Sequence, residues 1–225
     1  MAEHVLDNPV WHALTTQHAG LALTADGAAR YPAEIVPFAG VGEPTARAAD
    51  QLTSLVEDAE SVFVVGIAPV PPPGWTLEPK KAVLQMICPS RPPDVPGPPV
   101  RTMTAAEAPD MLALTDLVFP GFFRPRTLDM GAYYGIYDGA RLAAMAGERM
   151  RMDGYTEISA VCTHPDYVGR GYAQRLVAIV SNAAFERNST PFLHVYRHNT
   201  RAMAVYERLG FYVRTDVALC SVTRK

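Results

Sequence analysis

Residues 157–173 read EISAVCTHPDYVGRGYA, an apolar strand, a His-Pro break and a glycine-rich turn that leads into a helix. Gly169 and Gly171 allow the chain to turn tightly and to approach a ligand closely, because neither carries a Cβ. The amides of the first helical turn have no acceptor within the helix, and the helix dipole adds partial positive charge there. The segment therefore predicts a backbone cradle for a pyrophosphate, to which Arg170 would add a full charge. The alternative is a turn before a helix that binds no ligand.

A second segment, residues 192–211, reads FLHVYRHNTRAMAVYERLGF. It predicts a short strand, a polar break and a helix from about residue 200 to residue 209. Gly210 follows that helix, at the position where helices commonly end on glycine. The two segments together predict a strand, a glycine-rich turn, a helix, a second strand and a second helix.

These two segments resemble the GNAT superfamily of N-acyltransferases, which use acyl-coenzyme A. The phosphate loop of that family reads Arg/Gln-x-x-Gly-x-Gly/Ala, and residues 168–173 match its glycine and alanine positions, with Val168 in place of Arg or Gln. A later family pattern reads Asn-x-x-Ala-x-x-x-Tyr-x-x-x-Gly-Phe. It is matched at Asn199, Ala202, Tyr206, Gly210 and Phe211. The resemblance covers roughly residues 100–225.

The resemblance implies an α/β (α+β) fold of the GNAT type, in which a mixed, mostly antiparallel central sheet is flanked by helices. Residues 89–99, PSRPPDVPGPP, are rich in proline and predict a semi-rigid linker. Residues 1–88 alternate helix and strand signals and predict an N-terminal α/β domain, and residues 100–225 are expected to form the acyltransferase domain. Two-part chains of this kind resemble the glycine-N-acyltransferase-like branch, which implies that the first part could be a degenerate copy of the same fold.

The resemblance also implies where the acyl donor binds. In relatives the strand equivalent to residues 157–163 splays from the next strand, and the pantetheine arm pairs with free backbone groups in the opening. The amide of Val161 is the expected partner of the thioester carbonyl. Asn199 would hydrogen-bond the arm, although its side chain could instead cap the following helix. The implied coenzyme-binding residues are Val161, Cys162, Thr163, Val168, Gly169, Arg170, Gly171, Tyr172, Ala173, Gln174, Asn199, Ala202 and Tyr206.

Two residues are candidate catalytic groups. Tyr206 lies about two turns along the helix of the second segment, from where its hydroxyl could protonate the departing thiolate as a general acid. Glu157 precedes Val161 by four residues, so both side chains are expected to point the same way. Some family members use a glutamate at this position, through water, as the general base. The alternatives are that Tyr206 is only an aromatic residue packed on the sheet, and that Glu157 is a carboxylate at a strand edge in solvent. His164 and His194 are the fallback candidates for the general base.

An aromatic-rich loop, residues 119–131, is expected to line the acceptor pocket. Aromatic side chains with one or two arginines would suit an apolar amine that bears a carboxylate. The alternative is that the phenylalanines fill the core and the arginines face water. The candidate acceptor-binding residues are Phe122, Phe123, Arg124 and Tyr133.

Composition argues against several other classes. The chain has 225 residues and a net charge of −3, whereas nucleic-acid binding favours a clustered basic face. Its apolar runs are shorter than the ~20 residues that span a bilayer, and its first residues do not resemble a secretory signal. Three widely spaced cysteines indicate neither a disulfide framework nor a zinc site. We therefore expect a cytoplasmic protein that uses no metal.

The sequence as a whole predicts an N-acetyltransferase that transfers an acetyl group from acetyl-CoA, by direct attack, to the amine of a small molecule or amino acid. Two alternatives are kept: a non-catalytic acyl-CoA-binding module, in which Glu157 and Tyr206 are structural, and a protein N-acetyltransferase. The expected partner is a small amine, not a nucleic acid or a membrane, and the expected assembly is a monomer or a homodimer.

Overall fold

The computed structural model describes residues 4–225, and in that range it contains five α-helices and thirteen strands. The helices are α1 (Pro9–Thr15), α2 (Ala46–Thr53), α3 (Ala108–Val118), α4 (Tyr172–Glu186) and α5 (Thr200–Arg208). The first strands are β1 (Leu23–Ala25), β2 (Ala28–Arg30), β3 (Ala39–Val41), β4 (Ser61–Val65), β5 (Trp75–Pro79) and β6 (Val83–Ile87). The later strands are β7 (Arg101–Met103), β8 (Tyr133–Asp138), β9 (Arg141–Met152), β10 (Tyr155–Thr163), β11 (Thr190–Tyr196), β12 (Tyr212–Val217) and β13 (Leu219–Arg224).

Local sequence signals set the ends of several elements. Thr104 and Glu107 form a capping box immediately before α3, in which each side chain satisfies a backbone amide of the first turn. The Asp138-Gly139 pair turns β8 into β9, with Gly139 at a φ of 59°. The helix and strand boundaries of the two motif segments match those expected within about two residues.

A seven-stranded central sheet organises the fold, in the order β12-β6-β11-β10-β9-β8-β7. Strands β10 and β11 run parallel, whereas the other neighbouring pairs run antiparallel. Alternating residues of β9 face opposite sides: Ala144 and Ala146 pack in the core beneath α4, while Met145 packs with Leu114 of α3. The mixed, mostly antiparallel sheet flanked by helices confirms the expected GNAT-like fold class.

The strand pairing does not follow the expected division at residues 88 and 100. Strand β6, from the N-terminal part, lies between β11 and β12 of the central sheet. In return β13, the last strand of the chain, lies between β4 and β5 in a separate three-stranded sheet. Each part therefore completes a sheet of the other, and the boundary inferred from composition has to be corrected. That inference failed because pairing between distant strands leaves no local signal in the sequence.

The proline-rich segment between β6 and β7 has no helix or strand, as expected, but it is packed against the domain. Arg175 in the first turn of α4 donates from Nε to the carbonyl oxygen of Pro98 at 3.0 Å, and from Nη1 to that of Val95. Val95 also packs against the core beneath α4. The segment is therefore a strap across the domain and not a free linker.

Residues 100–225 on their own should fail to fold cooperatively. Without β6, strands β11 and β12 lose their common neighbour, and the buried side chains of Leu84 and Met86 leave the core. Circular dichroism during urea titration would show this as a broad transition. Addition of residues 1–99 as a second polypeptide should restore a sharp one. A cooperative transition for the isolated fragment would contradict the exchange of strands.

Candidate active site

A cleft opens where β10 and β11 separate. The two parallel strands pair from Tyr155 opposite Thr190 to Glu157 opposite Phe192, and the pairing ends there. Beyond that point the space between β10, the glycine-rich turn and α5 forms a cleft of about 690 Å³, which lies within the range of ligand sites. The family resemblance implied this splay at the strand of residues 157–163.

A bulge in β10 lies at the inner end of this cleft. Ser159 pairs with Gly147 and Cys162 with Met145, so β10 carries one residue more than β9 between the two pairs. Ala160 within the bulge has a φ of 50°, which is unusual for a residue with a side chain. The bulge redirects the strand where the expected backbone partner of the donor, Val161, is placed.

The glycine-rich turn forms an open backbone cradle at the start of α4. Gly169 and Gly171 have φ values of 91° and 78°, in the region that favours glycine. Gly171 is the N-cap of the helix, without a side-chain cap, and the amide of Arg175 is the one that bonds back to the Gly171 carbonyl. The amides of residues 172–174 therefore have no acceptor within the helix. No atom lies within 4 Å of a Cβ built on either glycine, so the cradle is accessible.

The structure brings most of the expected coenzyme-binding residues together. The cleft is lined by eleven of them: Val161, Thr163, Val168, Gly169, Gly171, Tyr172, Ala173, Gln174, Asn199, Ala202 and Tyr206. Cys162 instead lines the neighbouring pocket, and the guanidinium of Arg170 stacks on the Tyr167 ring, 4.8 Å from its centroid. The expected phosphate contact of the Arg170 side chain therefore has no support in this arrangement.

The cleft also holds two cations that were not predicted from the sequence, Arg201 and Arg208. They are seven residues apart on α5 and hence on one helix face, a spacing that could have identified them. Asn199 lies at the start of the same helix, where its Oδ1 accepts from the amide of Ala202 at 3.2 Å. The capping alternative for Asn199 is thus realised, and its side chain also lines the cleft.

A second pocket, of about 280 Å³, meets the cleft at its inner end. The two share Val161, Asn199 and Tyr206 as lining residues. The pocket is largely apolar, with Phe119 and Phe122 on one side and His194 on another. A ligand in the cleft and a second molecule in this pocket would therefore meet at these three residues.

Tyr206 occupies that junction with little contact to solvent. The residue is 7% exposed, and its ring packs against Phe211. Burial raises the pKa of its phenol, so the hydroxyl stays protonated at any working pH. The residue lines both the cleft and the pocket, so a ligand in either can approach its hydroxyl.

Glu157, the candidate general base, is engaged by two neighbouring side chains. Its carboxylate is fully buried and binds Arg149 bidentately, at 2.7 and 2.6 Å, while Nδ1 of His194 lies 2.7 Å from Oε1. Burial alone would raise the pKa of the carboxyl, but Arg149 and His194 outweigh it and lower the pKa from 4.5 to about 2. A carboxylate so engaged is a weak base. The bulge between Glu157 and Val161 also breaks the alternation on which their shared orientation depended.

A chain of polar contacts continues from His194 into the N-terminal part. The amide nitrogen of Gln85 on β6 lies 3.1 Å from Nε2 of His194, and its oxygen accepts from Nε of Arg214. Because the Gln85 nitrogen is a donor, Nε2 must accept and Nδ1 must carry the proton that faces Glu157. This chain crosses the exchanged strand, so both parts of the protein hold the imidazole in place. His164, the other fallback base, lies outside both the cleft and the pocket.

The expected acceptor-binding residues divide into two groups. Phe122 lines the pocket, and Phe123 and Tyr133 line a small recess beside it. Arg124 is exposed and lines neither. Arg149, which the sequence analysis did not single out, is the guanidinium that faces both the pocket and the recess.

Within residues 4–225 no group of three or more histidine, cysteine, aspartate or glutamate side chains is arranged to hold a metal ion. In the same range no helix is both long enough and apolar enough to cross a bilayer.

The chain is similar to several known proteins. The model of the family described as FR47-like protein matches residues 133–219. A GNAT-family protein from Novosphingobium aromaticivorans DSM 12444 is 34% identical, with a TM-score of 0.89 over 99% of this chain and 100% of that one. The fold is also shared by a GCN5-related N-acetyltransferase from Kribbella flavida, 16% identical with a TM-score of 0.64 over 96% and 95% of the two chains. No curated protein matches the chain.

Proposed function

The chain belongs to the GNAT family of N-acetyltransferases, and from that premise we propose that it transfers an acetyl group from acetyl-CoA to the amine of a small molecule. The observation that carries the proposal is the junction at Val161, Asn199 and Tyr206, where the cleft meets a separate apolar pocket. Direct attack needs such a junction, because amine and thioester must be held together in a defined orientation.

The cleft suits an elongated ligand that carries phosphates. The unpaired amides at the start of α4 and the positive end of the helix dipole complement a pyrophosphate, and Arg201 and Arg208 add full charges nearby. We assign the pyrophosphate of the coenzyme to residues 169–174 and its pantetheine arm to the backbone of Val161 and Thr163. The acyl group would then reach the junction with the second pocket.

Proton transfer is assigned to Tyr206 at the junction and to His194 in the acceptor pocket. Tyr206 would protonate the departing thiolate, a role for which its buried, un-ionised hydroxyl is suited. Glu157 would act as a positioning residue: it holds the Nδ1 proton of His194, so that Nε2 is the basic nitrogen. Acceptance of the amine proton at Nε2 requires that the amide of Gln85 turn away from it.

Two other functions are kept as alternatives. A non-catalytic acyl-CoA-binding module would use the same cleft, and Val168, which is 42% exposed where the family pattern has Arg or Gln, favours weaker coenzyme binding. A protein N-acetyltransferase would need an open groove for a polypeptide, whereas the acceptor pocket here is small and lined by aromatic residues. A cytoplasmic location and a monomeric or homodimeric state are also part of the proposal.

The decisive experiment is release of free thiol from acetyl-CoA against a panel of small amines and peptides, with binding of acetyl-CoA measured separately by calorimetry. Turnover with a small amine supports the proposal. Tight binding without turnover of any acceptor would favour the binding module. Turnover with peptides alone would favour the protein N-acetyltransferase.

Gly171→Asp should weaken acetyl-CoA binding by at least about 100-fold, because like charges brought together cost several kcal/mol. The new carboxylate would point into the space assigned to the pyrophosphate, since nothing else lies within 4 Å of that Cβ. Gly154→Asp is the matched control, because Gly154 has a φ of 79° and equally open surroundings but lies in the turn between β9 and β10. Calorimetry on both variants tests the assignment, and equal affinities would contradict it.

A further inference from the structure

A recess of about 70 Å³ lies beside the acceptor pocket and shares part of its wall. Phe119, Phe122, Arg149 and the β10 bulge residues are common to the two. The recess has room for only a few non-hydrogen atoms, so it could hold a head group and not a whole acceptor. The rest of the acceptor would remain in the larger apolar pocket.

The recess presents hydrogen-bond donors that the protein itself leaves unused. Tyr133 is 1% exposed, yet its hydroxyl has no hydrogen-bond partner among residues 4–225. A buried polar group in this condition is costly and calls for an explanation. Arg149 uses Nε and Nη2 to bind Glu157 and stacks on the ring of Phe38, so Nη1 is the guanidinium nitrogen that remains for a ligand. Both donors could serve a single ligand oxygen.

The hydroxyls of Thr115 and Thr127 in the recess are already engaged. Thr115 donates to the carbonyl of Met111 at 2.8 Å, and Thr127 donates to that of Ile35 at 2.6 Å. The recess therefore offers a ligand the donors of Tyr133 and Arg149, with the hydroxyl of Ser159 in the same wall.

The charges around the recess determine whether it favours a charged carboxylate oxygen or an uncharged carbonyl oxygen of a ligand. Arg149 is already compensated by Glu157 at 2.6 Å, and both ring nitrogens of His194 are engaged, Nδ1 by Glu157 and Nε2 by the amide of Gln85. A second carboxylate would bring uncompensated negative charge next to buried Glu157, at a large desolvation cost. An uncharged carbonyl oxygen would satisfy the two donors without that cost.

Resting on the proposed function, we propose that the acceptor carries a neutral carbonyl oxygen near its amine, and that this oxygen enters the recess to accept hydrogen bonds from Tyr133 Oη and Arg149 Nη1. The preferred substrate class is thus an α-amino amide with an apolar side chain, which would lie against Phe119 and Phe122. This differs from the amine bearing a carboxylate that the composition of the loop at residues 119–131 suggested.

The test compares three amines of the same apolar body: phenylalaninamide, phenylalanine and 2-phenylethylamine. Thiol release from acetyl-CoA is followed at saturating donor, and rates are expressed per concentration of unprotonated amine, because the three amines ionise differently. We expect kcat/KM for the amide to exceed that of the other two by about tenfold or more, as one or two hydrogen bonds would give. Equal or higher kcat/KM for phenylalanine would overturn the proposal.

Tyr133→Phe should reduce the amide-to-phenylethylamine ratio about tenfold, while the free protein keeps its stability because the lost hydroxyl had no partner. Tyr31→Phe is the control, since the Tyr31 hydroxyl is also buried but binds His18 at 2.8 Å outside the recess. An unchanged ratio in Tyr133→Phe, or an equal change in Tyr31→Phe, would overturn the proposal.

A binding measurement separates this inference from the proposed function. Calorimetry with phenylalaninamide in the presence of CoA should show affinity that falls in Tyr133→Phe, whether or not turnover is seen. Absence of acetyl-CoA binding or of all turnover would contradict the proposed function. Two results together would contradict only the role proposed for the recess: turnover of all three amines without preference for the amide, and equal binding of the amide to the unmodified protein and to Tyr133→Phe.

Discussion

We expect Tyr206→Phe to lower turnover by about 10²- to 10⁴-fold, the range for loss of a general acid, with almost no change in affinity for acetyl-CoA. The substitution removes one oxygen atom from a ring that stays packed against Phe211, so the fold and the cleft should persist. The effect should fall on kcat, because the proton is needed only as the thiolate departs. Thiol release at saturating acetyl-CoA, together with calorimetric binding, measures the two quantities.

Tyr212→Phe provides the matched control for this substitution. Tyr212 lies on β12, is 53% exposed and lines neither the cleft nor the acceptor pocket. Its variant should react at the rate of the unmodified protein. Unchanged turnover in Tyr206→Phe would remove the general-acid assignment, and a parallel loss of acetyl-CoA affinity would indicate a binding role instead.

Much of the fold was accessible from the sequence because its signals are local. The glycine positions before α4, the capping box before α3 and the Asp138-Gly139 hairpin each act within a few residues of the chain. The two motif segments therefore gave the correct elements around the cleft. Their order along the chain also gave the splay of β10 from β11, since that splay accompanies the family pattern.

What the sequence could not predict depends on contacts between distant residues. The insertion of β6 between β11 and β12 joins positions more than 100 residues apart, and no local pattern marks it. The same limit applies to Glu157, whose surroundings come from β9, β10 and β11. Strand periodicity predicted the direction of its side chain only as far as the bulge at Ala160. Arg149 was missed because nothing in sequence spacing pairs it with Glu157.

Glu157→Gln should lower the free energy of unfolding by about 3 to 5 kcal/mol at pH 7, because the substitution leaves the largely buried charge of Arg149 without its partner. The shift in pKa supports this magnitude: a carboxyl with a pKa of 4.5 when unfolded and about 2 when folded contributes roughly 3 kcal/mol in its ionised form. Urea unfolding followed by circular dichroism gives the free energy. A loss below about 1 kcal/mol would contradict a tightly coupled pair.

The loss of stability in Glu157→Gln should depend on pH and on the Arg149 side chain, and these two dependences identify the ion pair as its cause. Because the pKa of Glu157 is lower in the folded than in the unfolded chain, its contribution is fully present above about pH 4.5 and disappears as the pH falls toward 2. The difference in the free energy of unfolding between the unmodified protein and Glu157→Gln should therefore become smaller in acid and stay constant from pH 6 to 8. Arg149→Met combined with Glu157→Gln should be more stable than the sum of the single changes allows, by about 1 to 3 kcal/mol. Additive losses would mean that the two side chains act independently. Glu157 would then not compensate the charge of Arg149, and the acceptor site would no longer be expected to prefer a neutral oxygen.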